Sequence, residues 1–198
     1  MKTTSTIISI PSHIQGLLFD CDGTLVDSMP LHMQAWEASL KYFQAPYDRD
    51  FFFSRKGMKE TVIVDEYNKT FGASLDSSAV VERKHYYFRD HIEEVRPIKP
   101  VVDVVFRYDS VLPMAVVSGG QKEIVEGELR VVGLVHYFQE ILTADDPYNP
   151  KPAPDLFFEA ARRITVEPSA CMVFEDGDLG IRAAHNAGMG VIDIRPLL

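Results

Sequence analysis

Five short runs of apolar residues recur along the chain, and each run ends in a cluster of polar residues. Their length is that of β-strands, and they lack the alternation of apolar and polar positions that marks a strand with one solvated face. Continuous apolar runs are typical of strands that are buried on both faces of a parallel sheet. The predicted strands are Ile14–Phe19, Met114–Val117, Glu140–Thr143, Cys171–Phe174 and Val191–Ile194.

Three segments between these strands carry the start and stop signals of α-helices, such as a proline at the start or a glycine just past the end. They are Gln121–Val132, Pro154–Ile164 and Asp178–Ala187. Strands that alternate with helices predict an α/β fold, here a doubly wound parallel sheet with a Rossmann-like core.

Residues 27–97 do not follow this alternation of strands and helices, because they have helical periodicity but no buried strand. Apolar residues recur there at steps of three and four, as on the buried face of a helix. One such set is Met29, Met33, Trp36, Leu40 and Phe43, and a second is Ile63, Tyr67 and Phe71. We interpret residues 27–97 as an inserted helical cap domain, and residues 1–26 and 98–198 as the core. The two ends of the cap, near Asp27 and near Arg96–Pro97, are predicted hinge segments, and Pro97 and Pro100 predict an irregular connection there.

The composition argues against several classes of partner. With 46% hydrophobic and 25% charged residues, the 198-residue chain has the make-up of an ordinary globular protein. A net charge of -9 disfavours nucleic acids and anionic membrane surfaces, because both attract clustered Lys and Arg. No apolar stretch reaches the roughly 18 residues that a membrane span needs.

We expect a cytoplasmic protein that is a monomer. Met1–Ser12 lacks the apolar segment and the cleavage site of a secretory signal. Cys21 and Cys171 each lie inside an apolar run, which is typical of buried thiols in a reducing compartment. A monomer is the default expectation for a capped domain of this size.

Two carboxylates close the first predicted strand, in the sequence Phe19-Asp20-Cys21-Asp22-Gly23-Thr24. Residues i and i+2 of an extended chain point to the same side, so Asp20 and Asp22 can face one site at the carboxyl end of the strand. Like charges at this separation repel each other, and a divalent cation or a proton on one group relieves the repulsion. Taken alone, the pair also fits an acidic turn or the metal site of a nucleotide-sugar transferase.

Two later strand ends carry groups suited to a phosphate. Ser118, Gly119 and Gly120 lead from a strand into a helix, so their amides and the serine hydroxyl can donate hydrogen bonds to phosphate oxygens. A simple helix N-cap is the alternative. Lys151 lies between two prolines, which restrict the backbone from which its cation would meet an anion. A solvated loop lysine is the alternative there.

A second acidic cluster, Glu175-Asp176-Gly177-Asp178, follows the fourth predicted strand. Mg²⁺ prefers oxygen ligands and commonly takes one or two carboxylates, which Asp20 and Asp176 can supply. Glu175 can hold a metal-bound water, and Asp178 can cap the next helix. A bound cation would give this acidic protein the local reversal of charge that an anionic phosphate requires.

In their order and spacing, these four clusters resemble those of the haloacid dehalogenase-like hydrolases, over nearly the whole chain. The resemblance implies Mg²⁺-dependent phosphoryl transfer, with Asp20 as the nucleophile and Asp22 as the general acid and base. It implies that Ser118, Gly119 and Lys151 bind the phosphate. The implied metal ligands are Asp20, Asp176 and the main-chain carbonyl of Asp22, with Glu175 in support.

The helical insertion resembles the cap of the subgroup that contains β-phosphoglucomutase and small sugar phosphatases. His32 and Lys84 are similar to cap residues that contact the substrate there, and each also fits a solvated or polar helix face. The chain reads Gly57-Met58-Lys59-Glu60 where the mutase has a cap arginine, and it also departs from the mutase at Met29-Pro30. Since Glu60 does not replace a guanidinium that binds a far phosphate, the resemblance implies a phosphatase with a fructose-1-phosphate-like substrate.

Other enzyme classes fit less well. A cysteine-dependent phosphatase is excluded on spacing, because neither Cys21 nor Cys171 has an arginine six residues on. A true dehalogenase would use Asp20 but would need neither Mg²⁺ nor the acid Asp22. A phosphosugar mutase, and a hydrolase-derived binding protein whose site is idle, remain as alternatives. The expected partner is a small phosphorylated metabolite.

Overall fold

A computed structural model describes residues 8–198, so the prediction made for Met1–Ser12 falls largely outside the described residues. The strands of the described chain are β1 (Gly16–Phe19), β2 (Val26–Asp27), β3 (Arg96–Pro97), β4 (Met114–Val117), β5 (Glu140–Leu142), β6 (Cys171–Glu175) and β7 (Gly190–Asp193). The α-helices are α1 (Met29–Tyr42), α2 (Arg49–Phe53), α3 (Glu60–Phe71), α4 (Ser77–Asp90), α5 (Lys99–Tyr108), α6 (Lys122–Val131), α7 (Asp155–Arg163) and α8 (Asp178–Asn186).

Five of the strands form one parallel sheet in the order β5-β4-β1-β6-β7, with β1 at its centre. Leu17 and Phe19 of β1 pack on one face of the sheet with residues of α5 and α6. Leu18 packs on the other face with residues of α7 and α8. Burial on both faces explains the continuous apolar runs, and the predicted doubly wound α/β fold is confirmed. The predicted strands and helices end within two residues of those observed, but α5 was not predicted.

The remaining two strands, β2 and β3, join the sheet to the four helices inserted between them, α1 to α4. Val26–Asp27 pairs with Arg96–Pro97 in an antiparallel ribbon, and the amide of Ile98 donates to the carbonyl of Leu25 at 2.9 Å. Pro100 lies in the first turn of α5, where a missing N–H costs no hydrogen bond. The predicted irregular conformation is therefore wrong, because this crossing is a paired ribbon that leads directly into a helix. Its action as a hinge stays a prediction.

Helices α1 to α4 bury a hydrophobic cluster of their own. Its buried members are Met33, Trp36, Leu40, Phe51, Phe52, Ile63, Val64, Tyr67, Val80 and Val81. The rings of Trp36 and Phe52 stack with their centroids 4.7 Å apart, and the Tyr67 hydroxyl donates to the carbonyl of Pro46 at 2.7 Å. The helical unit thus has its own packed interior beside the sheet. No helix among residues 8–198 combines the length and apolar character that crossing a membrane requires.

A charged cluster is buried inside this helical unit. Lys84 of α4 is 1% exposed, and its ammonium donates to Glu60 Oε1 at 2.5 Å. The same ammonium lies 2.7 Å from His32 Nδ1, and the second oxygen of Glu60 lies 2.5 Å from His85 Nε2. A buried cation is costly unless it is paired, and these contacts pair it. Lys84 is therefore not on a solvated helix face.

Replacement of Leu17 by alanine tests the central packing of the sheet. Leu17→Ala removes a fully buried side chain from the middle strand, so we expect the free energy of unfolding to fall by about 2–5 kcal/mol. Urea denaturation measures it. Val111→Ala, at a position that is 66% exposed, is the control and should stay within about 0.5 kcal/mol of the wild type. Equal losses would contradict the packing described.

A double-mutant cycle tests the buried charged cluster. Glu60→Ala removes the carboxylate that pairs with the buried Lys84 ammonium, so we expect a loss of about 3 kcal/mol in unfolding free energy. Lys84→Met removes that charge, and the double variant should be less destabilised than the sum of the two single variants by at least about 1 kcal/mol. Urea denaturation of the four proteins gives the coupling. Strict additivity would show that the two side chains do not interact.

Candidate active site

The four polar clusters of the sequence meet at one edge of the sheet. Because β5, β4, β1 and β6 are adjacent in this order, residues that follow these four parallel strands are neighbours at their carboxyl ends. One cavity there is lined from the sheet side by Asp20, Asp22, Ser118, Gly119, Gly120, Lys151, Glu175 and Asp176. The structure therefore brings together every core residue that the sequence analysis proposed for the site.

Lys151 is the cation at the centre of this group. Its ammonium donates to Asp20 Oδ1 at 2.8 Å and to Glu175 Oε1 at 3.1 Å, and the residue is 8% exposed. Burial opposes its charge, but the adjacent carboxylates of Asp20 and Glu175 prevail and raise the pKa of Lys151 above its usual range. Lys151 is thus a permanent buried cation beside Asp20, and it does not extend into solvent from the loop.

The carboxyl groups of Asp20, Glu175 and Asp176 place oxygen atoms within 4.8 Å of one another. Burial and the charge of Glu175 raise the pKa of Asp20 well above its usual range, and Lys151 only partly offsets them. Lys56, from the loop between α2 and α3, donates to Asp176 Oδ2 at 2.6 Å. Three acids face two lysines, so the group would carry an excess of negative charge with all three acids ionised. A set of hard oxygen donors with such an excess fits Mg²⁺.

Two glycines allow the acids to come this close. At Gly180 of α8, a Cβ atom would lie 1.6 Å from Glu175 Oε1, so only glycine leaves room for that carboxylate. Gly23 has a φ of 81°, and a Cβ there would lie 2.8 Å from Asp176 Oδ2. Its left-handed backbone favours glycine and turns the chain after the first strand. The local backbone is therefore fitted to the acidic side chains.

Asp22 lines the same cavity as Asp20 but has different partners. Its Oδ1 accepts a hydrogen bond from Ser28 Oγ at 2.6 Å and lies 2.7 Å from His32 Nε2. Burial opposes its ionisation, but His32 and Ser28 outweigh it and hold the pKa of Asp22 below its usual range. Burial, then the charge of Lys84, lower the pKa of His32, which therefore accepts from Lys84 at Nδ1 and donates to Asp22 from Nε2.

Ser118 does not act as a helix N-cap, the alternative given for it. Helix α6 has Gln121 at its N-cap, whereas the hydroxyl of Ser118 accepts a hydrogen bond from the amide of Gly120 at 3.0 Å. Ser118 is buried, and both it and Gly119 line the cavity. Its hydroxyl hydrogen is left free to donate toward the cavity.

The helical unit closes the other side of the cavity. Its lining is mainly apolar and consists of Met29, Met33, Trp36, Phe52, Met58 and Ile63, with His32, Lys56 and Glu60 as its polar members. Lys84 is not among the lining residues, because its ammonium lies behind His32 and Glu60. Direct contact of Lys84 with a substrate stays a prediction.

Sequence reasoning missed Lys56 and Glu128 of this region, and it considered Glu60 only as the residue that stands in place of the mutase's arginine. Lys56 and Glu60 lie on or next to the loop before α3, where no periodicity marks them. Glu128 of α6 is fully buried beside Asp22 and His32. A signal for Glu128 existed, since it shares helical spacing with the buried residues Ile124, Val125 and Leu129. An acid on the apolar face of a helix is unusual enough to be singled out.

Comparison with known proteins agrees with this architecture. Fructose-1-phosphate phosphatase YqaB of Escherichia coli is 39% identical over 183 residues, which are 92% of this chain and 97% of that protein. Beta-phosphoglucomutase of Bacillus subtilis is 24% identical over 192 residues, covering 91% of this chain and 83% of that protein.

Solved structures share the fold. The structure of CbbY from Rhodobacter sphaeroides in complex with phosphate matches with a TM-score of 0.81 at 22% identity, over 91% of this chain and 85% of that chain. A family model described as haloacid dehalogenase-like hydrolase matches residues 17–194. The chain therefore belongs to the haloacid dehalogenase-like hydrolases.

Proposed function

We propose that this chain is a Mg²⁺-dependent phosphatase of a small sugar phosphate, with fructose 1-phosphate as the first candidate, and that Asp20 forms an aspartyl-phosphate intermediate. One observation carries the proposal: Asp20 lies 2.8 Å from the buried cation of Lys151 and within 4.8 Å of two further carboxylates. A relative named as a fructose-1-phosphate phosphatase, at 39% identity, supports the choice of substrate. The mutase relative, at 24%, is more distant.

Each residue then has a defined task. Asp20 attacks phosphorus, and its carboxylate oxygen forms the new bond while the bond to the sugar oxygen breaks. Lys151, Ser118 and Gly119 bind the phosphate oxygens. Asp20, Asp176 and the main-chain carbonyl of Asp22 would hold Mg²⁺, with Glu175 in support. The bound ion would supply positive charge that offsets the charge of the phosphate.

Asp22 serves both steps as acid and then as base. Its proton passes to the departing sugar oxygen, and the resulting carboxylate takes a proton from the water that attacks the acyl phosphate. The hydrogen bonds from Ser28 and His32 favour the carboxylate, which is the form required in the second step. The first step requires the neutral form when substrate is bound.

Residues 27–97 are proposed to act as a cap that covers the bound substrate. Their side chains line one wall of the cavity, with His32 and Glu60 as polar groups that can meet sugar hydroxyls. We propose that Lys84 acts there through its contacts with these two residues. A cytoplasmic location and a monomeric state are further parts of the proposal.

Phosphate release measures the proposed reaction. We expect fructose 1-phosphate to release inorganic phosphate in the presence of Mg²⁺ and not after removal of the metal with EDTA. Asp20→Asn should lower turnover at least about 1,000-fold, because the amide is a poor nucleophile, and should leave the unfolding midpoint close to that of the wild type. Asp103→Asn on the surface of α5 is the control and should keep full activity. Full wild-type turnover in Asp20→Asn would exclude the covalent scheme.

The same assay separates the phosphatase from its two alternatives. β-Glucose 1-phosphate with a trace of a bisphosphate is added, and glucose 6-phosphate is measured beside free phosphate. Sustained isomerisation without phosphate release would identify a mutase. Absence of both products across a panel of sugar phosphates, with Mg²⁺ present, would identify an idle binding protein.

Substitution at Gly180 tests the placement of Glu175. In Gly180→Ala the new methyl group would overlap the Glu175 carboxylate, so that carboxylate must leave its position beside Lys151. We expect an unfolding free energy lower by about 1–3 kcal/mol and a higher Mg²⁺ concentration for half-maximal phosphate release. Arg182→Ala, on the exposed side of the same helix, is the control. Unchanged Mg²⁺ dependence in Gly180→Ala would show that the position of Glu175 is irrelevant to the metal.

A further inference from the structure

Lys56 is a cation of the cavity to which the proposed mechanism assigns no task. It lies on the loop between α2 and α3, and its ammonium donates a hydrogen bond to Asp176 Oδ2 at 2.6 Å. The side chain of Asp176 is 8% exposed and that of Lys56 is 29% exposed. The pair is thus largely withdrawn from water, where a contact between opposite charges is stronger than on the surface.

The contact fixes the loop of residues 54–59 against the core. Within the part of the chain that the structure describes, it is the only hydrogen bond that joins this loop to the core. A Cβ atom at Gly119, a proposed phosphate ligand, would lie 3.5 Å from the carbonyl oxygen of Gly57. A Cβ atom at Gly57 would lie 4.0 Å from Leu179 Cδ1 of α8. The loop therefore lies across the cavity, between the turn after β4 and helix α8.

The acceptor of this hydrogen bond is also a proposed ligand of Mg²⁺. Both oxygens of Asp176 already have partners, since Oδ1 accepts from Thr24 Oγ1 at 3.4 Å while Oδ2 accepts from Lys56. Mg²⁺ requires short, well-directed contacts to its oxygen ligands. Two cations on one buried carboxylate also repel each other. Lys56 and a bound Mg²⁺ therefore oppose each other at Asp176.

We propose that Lys56 is an internal competitor of Mg²⁺: its ammonium occupies Asp176 and holds residues 54–59 across the cavity, and metal binding displaces it. The role rests on the proposed function, from which the metal site is taken. Coupling between two ligands is reciprocal, so a contact that weakens Mg²⁺ binding is weakened by Mg²⁺ to the same extent. Metal binding accordingly releases the loop from Asp176 and frees it to leave Gly119.

Calorimetric titration with Mg²⁺, in the absence of substrate, measures the competition directly. A contact formed in about nine of ten molecules weakens binding about tenfold, so we expect the dissociation constant to fall by about that factor in Lys56→Met. Lys56→Arg keeps the cation and should bind Mg²⁺ like the wild type. Lys59→Met, at an exposed lysine of the same loop, removes the same charge and is the matched control. Its dissociation constant should be that of the wild type.

Chemical labelling of lysines shows whether the metal displaces Lys56. An acetylating ester modifies accessible lysine amines, and mass spectrometry gives the rate at each residue. We expect addition of Mg²⁺ to raise the rate at Lys56 by up to about tenfold, the reciprocal of its effect on metal affinity, and to leave the rate at Lys59 unchanged. Asp176→Asn lacks the carboxylate partner, so Lys56 should react rapidly there with or without Mg²⁺.

The two measurements separate this role from the metal site itself. An unchanged or higher Mg²⁺ dissociation constant in Lys56→Met, with a wild type that binds the ion, would overturn the proposal. Tighter binding in Lys56→Met without any rise in Lys56 labelling would also overturn it, because the two cations would then share Asp176. Lys56→Gln serves if the methionine variant does not fold. Absence of Mg²⁺ binding by the wild type and by the Lys56 variants would overturn the metal site of the proposed function, and with it this role.

Discussion

Repulsion between carboxylates at one edge of the sheet is the constraint around which this protein is organised. Six carboxyl groups lie in or directly beside the cavity: Asp20, Asp22, Glu60, Glu128, Glu175 and Asp176. Three lysines accompany them, namely Lys56, Lys84 and Lys151. Like charges at such distances are expensive where the side chains are largely buried. The fold must therefore hold cations in place as firmly as it holds acids.

These cations come from different parts of the chain. Lys151 belongs to the loop after β5, whereas Lys56 and Lys84 belong to the helical unit between β2 and β3. The helical unit thus contributes charge to the site in addition to an apolar wall. Lys56 reaches across to Asp176 at 2.6 Å, while Lys84 acts inside the helical unit on His32 and Glu60. Electrostatic compensation accordingly links the helical unit to the carboxyl end of the sheet, beyond what hydrophobic packing provides.

The sheet and the core of the site were predictable because short, continuous segments of the sequence carry the signals for both. A strand buried on both faces needs an apolar run, and the parallel topology then brings Asp20, Ser118, Lys151 and Asp176 together. The ribbon of β2 and β3 was not predicted, because strands of two residues are too short to show the alternation of apolar and polar positions that identifies a strand. Helix α5 escaped it because its four valines are β-branched and weaken the helical signal.

Contacts between segments that are distant in the sequence also could not be predicted. Periodicity places Glu128 on the buried face of α6, but it does not say that this face meets Cys21, 107 positions earlier in the chain. The burial of Lys84 could not be predicted either, because a lysine on a helix is ordinarily solvated. Its burial follows only from Glu60 and His32, which lie 24 and 52 positions away. Spacing identifies which side of an element is buried, whereas partner identity depends on the assembled fold.

Two aspartates only two residues apart end up with opposite tendencies to ionise. Burial and the charge of Glu175 raise the pKa of Asp20, whereas His32 and Ser28 overcome burial and lower the pKa of Asp22. Environments that shift the pKa values of neighbouring carboxyl groups in opposite directions can give them different roles. Without a cation the two shifts are the reverse of those that the proposed first step requires, which needs Asp20 ionised and Asp22 neutral. A nucleophile must be ionised, and Lys151 alone does not offset the factors that oppose ionisation of Asp20. The charge balance of the site therefore supplies a physical reason for the cation that we propose: it would make Asp20 a carboxylate at the moment of attack.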